Sequence, residues 1–154
     1  HRDLHSFPTR RSSDLNRAKH SYEWLIYKLL ERWYQDEERI QFQIATGIHF
    51  YLDVFDRVIR GHHGNDIKYQ GGVGGLTIPV LKAIKEWNSA RHADLDIFGH
   101  WHTMIDESRF ISNGSLIGYA PYLIAIKAKF QLPQQASVTF NRKRWVTSFN
   151  RIYV

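Results

Sequence analysis

Two short runs place histidines at a spacing that suits metal chemistry. Gly99-His100-Trp101-His102 follows the apolar stretch Leu95-Asp96-Ile97-Phe98, and Gly61-His62-His63-Gly64 follows Val58-Ile59. Each apolar stretch reads as a strand, so each histidine run falls where the backbone stops being paired and side chains are delivered into a loop. Alternate strand residues share a face, which is expected to turn His100 and His102 toward one pocket. Neutral imidazoles there can ligate one divalent ion or two adjacent ones, while Gly99 lets other groups come close. A lone His-x-His is as readily a pair of half-buried histidines bonded to carbonyls. Two strand-end histidine runs in one chain favour the metal reading.

The elements that must position these runs can be read from the periodicity. Tyr22, Leu25, Ile26, Leu29 and Trp33 recur at helical spacing after Ser21, a suitable N-cap, with Glu23 in the first turn. After Asp36-Glu37-Glu38, the alternation of Ile40, Phe42 and Ile44 predicts a strand, and another is expected over Ile48 to Val54. The glycine-rich stretch Gly71 to Gly75 lacks a following Gly-Lys-Ser or Gly-Lys-Thr, so it reads as a loop and not as a phosphate cradle. A helix is predicted from about Ile78, with Pro79 in its first turn and Val80, Ile84 and Trp87 on one side. Later come Phe110-Ile111, Leu123 to Ala128, Ser137 to Phe140 and Trp145 to Tyr153, all read as sheet. Helices interleaved with strands early and strands alone late predict a mixed α/β (α+β) fold.

Composition narrows the chemistry further. The chain has 154 residues, 43% of them apolar, with five Trp, eight Tyr and nine Phe, which is enough to bury one ordinary core. No cysteine is present, so disulfides and thiolate metal sites are excluded, leaving His, Asp, Glu and Asn as candidate ligands. No apolar run of spanning length and no secretion signal is visible, so the expectation is a cytoplasmic protein with no membrane partner. The net charge of +6 is compatible with a nucleic-acid partner. Basic residues are nevertheless scattered, the densest group being Asn141-Arg142-Lys143-Arg144, and a solvated surface is the preferred reading. Residues 1–15 show neither a helical nor a strand period and resemble a translated sequencing adapter. They are expected to be a non-native or disordered leader, with the folded domain at 16–154.

The two histidine runs together resemble the late motifs of the calcineurin-like metallophosphoesterase superfamily, in which a strand is followed by His-Gly and a later strand by Gly-His-x-His. Ile111-Ser112-Asn113-Gly114-Ser115 stands where that superfamily has an Asn-Pro-Gly-Ser turn, with the proline missing. From Ser21-Tyr22-Glu23-Trp24-Leu25 through Gly72-Val73-Gly74-Gly75 to Asn113-Gly114-Ser115-Leu116-Ile117-Gly118-Tyr119 the chain resembles phage and prophage phosphoesterase-like proteins. The resemblance implies the C-terminal part of a four-layer αββα sandwich with mixed sheets. It also implies two divalent ions, manganese foremost and iron or zinc as alternatives. His63 and His100 would then hold one ion and His102 the other. His62 competes with His63 for its role, and Asn65, Asp66 and Asn113 are further ligands or supporting hydrogen-bond partners.

The same resemblance implies early Asp-x-His, Gly-Asp and Gly-Asn-His motifs, and none stands where it should. Asp3-Leu4-His5 spells Asp-x-His but lies in the leader with no apolar strand before it, so no catalytic acid or base is assigned. The expectation is hydrolysis of phosphate esters in the intact protein, as a phosphodiesterase, nuclease or phosphatase, and an incomplete, inactive fragment in this chain. The rival reading is a non-enzymatic nucleic-acid-binding domain with structural histidines. In that reading Tyr119 and Tyr122 could stack on bases, although simple packing is the preferred role for both and for Trp101.

Overall fold

The computed structural model describes residues 22–68, 73–125 and 129–154. The leader, Asp3-Leu4-His5, the expected cap Ser21, and Gly71 and Gly72 lie outside them. The chain divides into two units, His1–Phe50 and Tyr51–Val154.

In the first unit, helix α1 (Tyr22–Trp33) forms where the 3.6-residue period predicts it, and Lys28 bonds Glu31 at 2.7 Å one turn on. Its apolar stripe is not buried: Tyr22 is 87% and Trp33 73% exposed, and no residue of the helix is buried. The strand expected over Ile40, Phe42 and Ile44 does not form. No ladder partner reaches this stretch among the described residues, and Phe42 instead stacks on Tyr34 with ring centroids 6.4 Å apart. Alternation alone cannot make a strand without a neighbour to hydrogen-bond.

Strand β1 (His49–Val54) carries the unit boundary, and β2 (Arg57–His62), β3 (Leu95–Phe98), β4 (Ile105–Asp106) and β5 (Phe110–Ser112) complete a five-stranded sheet of order β1-β2-β3-β5-β4. Strands β2, β3 and β5 run parallel, while β4 is antiparallel to β5. Helix α2 (Thr77–Ala90) makes the crossover from β2 to β3. It starts after a turn in which Gly74 has φ +84°, a left-handed conformation that favours glycine. The predicted strand from Leu123 is in part a short helix, α3 (Pro121–Ala125), and residues 126–128 lie outside the description. Strands β6 (Gln134–Asn141) and β7 (Trp145–Tyr153) form a separate antiparallel hairpin.

Strand alternation sorts the core into two faces. Val80 and Ile84 of α2 pack with Phe98, Phe110, Ile67 and Leu76 on one side, and Trp101 packs against this group as expected. Ile59, Leu95, Ile111 and Trp145 pack on the other, covered by Ala136, Val138, Phe140 and Phe149 of the hairpin. The central parallel strands are thus covered on both faces, as parallel strands require. The fold is the mixed α/β class expected, and the described residues of this unit show helix, mixed sheet and hairpin as three stacked layers.

At the middle of the sheet, paired residues Arg60 and Asp96 form a fully buried bidentate ion pair, Nε–Oδ1 2.6 Å and Nη2–Oδ2 3.0 Å. Arg60 also donates to the Arg91 carbonyl at 3.2 Å and lies over the Trp87 ring. The pair thereby ties β2 to β3 directly beneath the two histidine runs.

Candidate functional site

The register sets the site. His62 pairs with Phe98, so the first residues beyond the two strands, His63 and Gly99, emerge side by side. The Gly99 N–H donates to the His63 carbonyl at 3.1 Å. Gly64, at φ +104°, packs so closely that a Cβ would lie 3.0 Å from the Gly99 carbonyl oxygen and 3.3 Å from the His100 Cβ. The two histidine turns therefore touch backbone to backbone, and glycine at 64 permits it.

Beyond Gly99 the chain is strained. The Trp101 N–H donates to the Gly99 carbonyl at 2.8 Å, closing a three-residue turn centred on His100, whose φ is +67°. This is the rare, strained form of the γ-turn. His102 is also left-handed, at φ +51°. The strand alternation expected to align His100 with His102 does not extend this far, since β3 ends at Phe98. It is the left-handed turn that sets their directions. Left-handed backbone at a non-glycine residue costs on the order of 1–3 kcal/mol and gathers where function fixes a geometry.

The result is a close imidazole pair. His100 Nδ1 stands 3.1 Å from His63 Nε2, with the rings 4.9 Å apart and edge to face. His100 is held below the usual histidine range first by burial, then by the charges of His63 and His102, with Asp66 opposing. Neutral at neutral pH, it has a lone pair available to accept a hydrogen bond or bind a metal. Asp66, within electrostatic reach of His100, receives a long 3.4 Å contact from the Asn65 amide.

Two of the predicted residues are placed elsewhere. His62 closes strand β2, which runs further than Val58-Ile59 suggested, and so points to the core. Its side chain is 4% exposed, stacks on Phe98 at 4.8 Å, meets Trp87 edge-on at 4.9 Å and brings Nε2 within 3.6 Å of Asp96 Oδ1. It belongs to the buried group beneath the site. Asn113 is an architectural clamp: its Oδ1 accepts from the Gly114 and Ala136 N–H groups at 3.0 and 2.9 Å, and its Nδ2 donates to Gln135 at 2.7 Å. These bonds join the end of β5 to the hairpin and use both lone pairs of Oδ1, the atom that the ligand reading needed. Tyr119 meets Phe130 edge-on at 5.3 Å, a packing contact.

The donor set can be tested against a metal. Two nitrogen ligands at about 2.0–2.1 Å from a tetrahedral ion stand roughly 3.3 Å apart, so the 3.1 Å pair fits two positions of one ion. It equally fits one imidazole donating to the other. Among the described residues, no three His, Asp or Glu side chains gather around a single point. The residues fit the nitrogen side of a metal centre without closing it.

No protein-family model matches the chain, and no curated protein does. Solved structures with a similar course include wild-type Vps29 from Entamoeba histolytica complexed with Zn²⁺, at 16% identity and TM-score 0.46, covering 68% of this chain and 59% of that one. A single-residue variant of Vps29 from the same organism gives 16% identity and TM-score 0.47, covering 75% and 65%. The chain thus spans less than two thirds of the length of either. At these values the likeness bears no weight for the site, which stands on its own geometry.

Proposed function

We propose that this chain carries the histidine side of a two-metal centre that hydrolyses phosphate esters, as its motifs' resemblance to calcineurin-like metallophosphoesterases implies. The observation that supports it is the 3.1 Å approach of His63 Nε2 to His100 Nδ1, created by two touching turns, one of them strained. His63 and His100 would hold one ion and His102 the other, with manganese foremost and iron or zinc as alternatives. Such ions supply hydroxide at neutral pH and neutralise the phosphate charge.

The chain's own contribution is placement. Burial keeps His100 neutral, and the Gly99 and Gly64 contacts fix its distance from His63. The carboxylate donors that a two-metal centre needs would come from outside the described residues, so the described portion alone is expected to bind metal weakly and turn over little or nothing. The substrate class proposed is a phosphate ester, with nucleic acid favoured by the +6 charge, in a cytoplasmic setting. Among the described residues no helix is long and apolar enough to cross a membrane.

A second reading, a nucleic-acid-binding domain with structural histidines, draws on the absence of a third donor around the pair among the described residues. Bound manganese after equilibrium dialysis separates the two, measured with hydrolysis of bis-p-nitrophenyl phosphate on the native chain and on a His100→Ala, His102→Ala double variant. The hydrolase reading expects metal on the native chain that the double variant loses. A native chain that takes up no manganese or zinc at millimolar concentration, yet retards single-stranded DNA, would overturn it in favour of the binding domain.

A further inference from the structure

The hairpin leaves one edge open. In the β6–β7 register Gln134 faces Tyr153, Ala136 faces Arg151 and Val138 faces Phe149. Antiparallel residues that face each other either both turn their backbone groups toward the neighbouring strand or both turn them away. The N–H groups of Gln134 and Ala136 turn away, donating to the Ser115 carbonyl at 3.0 Å and to Asn113 Oδ1 at 2.9 Å. The backbone N–H and C=O groups of Phe149, Arg151 and Tyr153 therefore point out of the hairpin on the β7 side. Val154, one residue on, has the opposite phase and donates back to the Pro133 carbonyl at 3.2 Å. Among the described residues no strand other than β6 pairs with β7. The β6 edge is thus taken up by Asn113 and Ser115, while the β7 edge is a template for one more strand.

The residues of this edge do little to repel a strand. WVTSFNRIY holds Arg151 as its one charge and neither proline, lysine nor carboxylate, the usual guards of an edge. The register shift between Thr139 and Phe140 leaves Thr147 unpaired as a bulge, and the stretch from Ser148 onward is regular. Ile152, Tyr153 and Val154, at its end, are 52%, 60% and 75% exposed. The stretch also complements itself. An antiparallel copy must match outward-pointing residues with outward-pointing ones, so a two-fold axis passes through a residue and not between two. Through Arg151 it would oppose two guanidinium groups, and through Asn150 or nearer the turn it would bring the bulged Thr147 into the ladder. Through Ile152 it sets that side chain against its own copy and Arg151 against Tyr153, an apolar pair flanked by cation–π pairs.

We propose that the open edge of β7 pairs antiparallel with β7 of a second copy of this chain, about a two-fold axis at Ile152, joining the two hairpins into one four-stranded sheet. With the β6 edge taken up, the joined sheet offers no second edge to extend, so the pairing closes as a dimer. The contact is short, which places it among the weak interfaces. It uses none of the histidines, so the proposal stands or falls independently of the hydrolase reading.

The chain has no cysteine, so single cysteines introduced into the full chain report on the pairing directly. At the axis Ile152 would occupy a non-hydrogen-bonded pair, whose Cα atoms stand about 4.5 Å apart, within disulfide reach. Under mild oxidation Ile152→Cys is expected to form a covalent dimer at least about tenfold faster than Thr147→Cys or Asn150→Cys. All three positions are exposed, so access alone does not separate them. Sedimentation of the native chain up to about 1 mM should show a monomer–dimer equilibrium, and Arg151→Pro, which removes an outward N–H and no bond to β6, should weaken it at least about tenfold. Equal cross-linking at the three positions, or the fastest at Asn150→Cys, would overturn the proposed pairing. A native chain that stays monomeric over that range would overturn it in favour of an edge that is solvated or kept for a foreign strand.

Discussion

At His100, backbone strain and a lowered proton affinity meet in one residue, and both have measurable consequences. Its left-handed φ of +67° is one that asparagine tolerates better than histidine. His100→Asn is therefore expected to raise the stability of the metal-free chain by about 0.5–1 kcal/mol while weakening metal binding, the usual exchange when a strained functional residue is relaxed. The same substitution should flatten the pH dependence. Burial first, and then His63 and His102, hold His100 below its ordinary value of 6.5, so over that window the unfolded chain binds more protons than the folded one. Its contribution is complete above 6.5 and is lost as pH falls through the lowered folded value. Urea midpoints of the metal-free native chain should drop on going from about pH 7.5 to about pH 5. Those of His100→Asn should drop less, and parallel profiles for the two would refute the assignment.

At the scale of elements, the site rests on the join between β2 and β3, and the Arg60–Asp96 pair is its buried fastening. Removing one partner strands a charge in the core, so Asp96→Ala is expected to cost about 3–5 kcal/mol in urea unfolding. Replacing both, as Arg60→Met with Asp96→Leu, should cost less than the single change; additive losses would show that the pair is not coupled. Element-level reading of the sequence succeeded where pattern and pairing agree. Leu95 to Phe98 is continuous and apolar but for Asp96 because it lies between two parallel neighbours, and the α2 stripe faces the sheet it crosses. It failed where the partner decides: Ile40 to Ile44 alternates but has no ladder, the stretch from Leu123 coils into α3, and two-residue β4 is too short to carry a pattern. The histidine pair was legible as His63 with His100, since both follow strands. The γ-turn that brings them together was not, because no residue type announces a left-handed histidine. His62 likewise went unread as a core residue, because only the extra strand length turns it inward.

Across the whole molecule, stability should be spread unevenly between the two units. Helix α1 has 12 residues and buries none, while Tyr22, Leu25, Ile26, Leu29 and Trp33 all lie at least 44% exposed. An isolated helix of about this length is marginal in water, so without a covering surface α1 should open far below the global unfolding free energy. Strand β3 is the reverse case, bonded on both edges by β2 and β5 and buried at Leu95, Asp96 and Phe98. Hydrogen exchange of the full chain followed by mass spectrometry should show peptides from α1 exchanging at least about a hundredfold faster than peptides spanning β3. Protection of α1 equal to that of β3 would contradict this. Because helical propensity cannot supply such protection at this length, it would mean that the apolar stripe is covered in solution, and repeating the exchange across a dilution series would tell whether a second copy covers it.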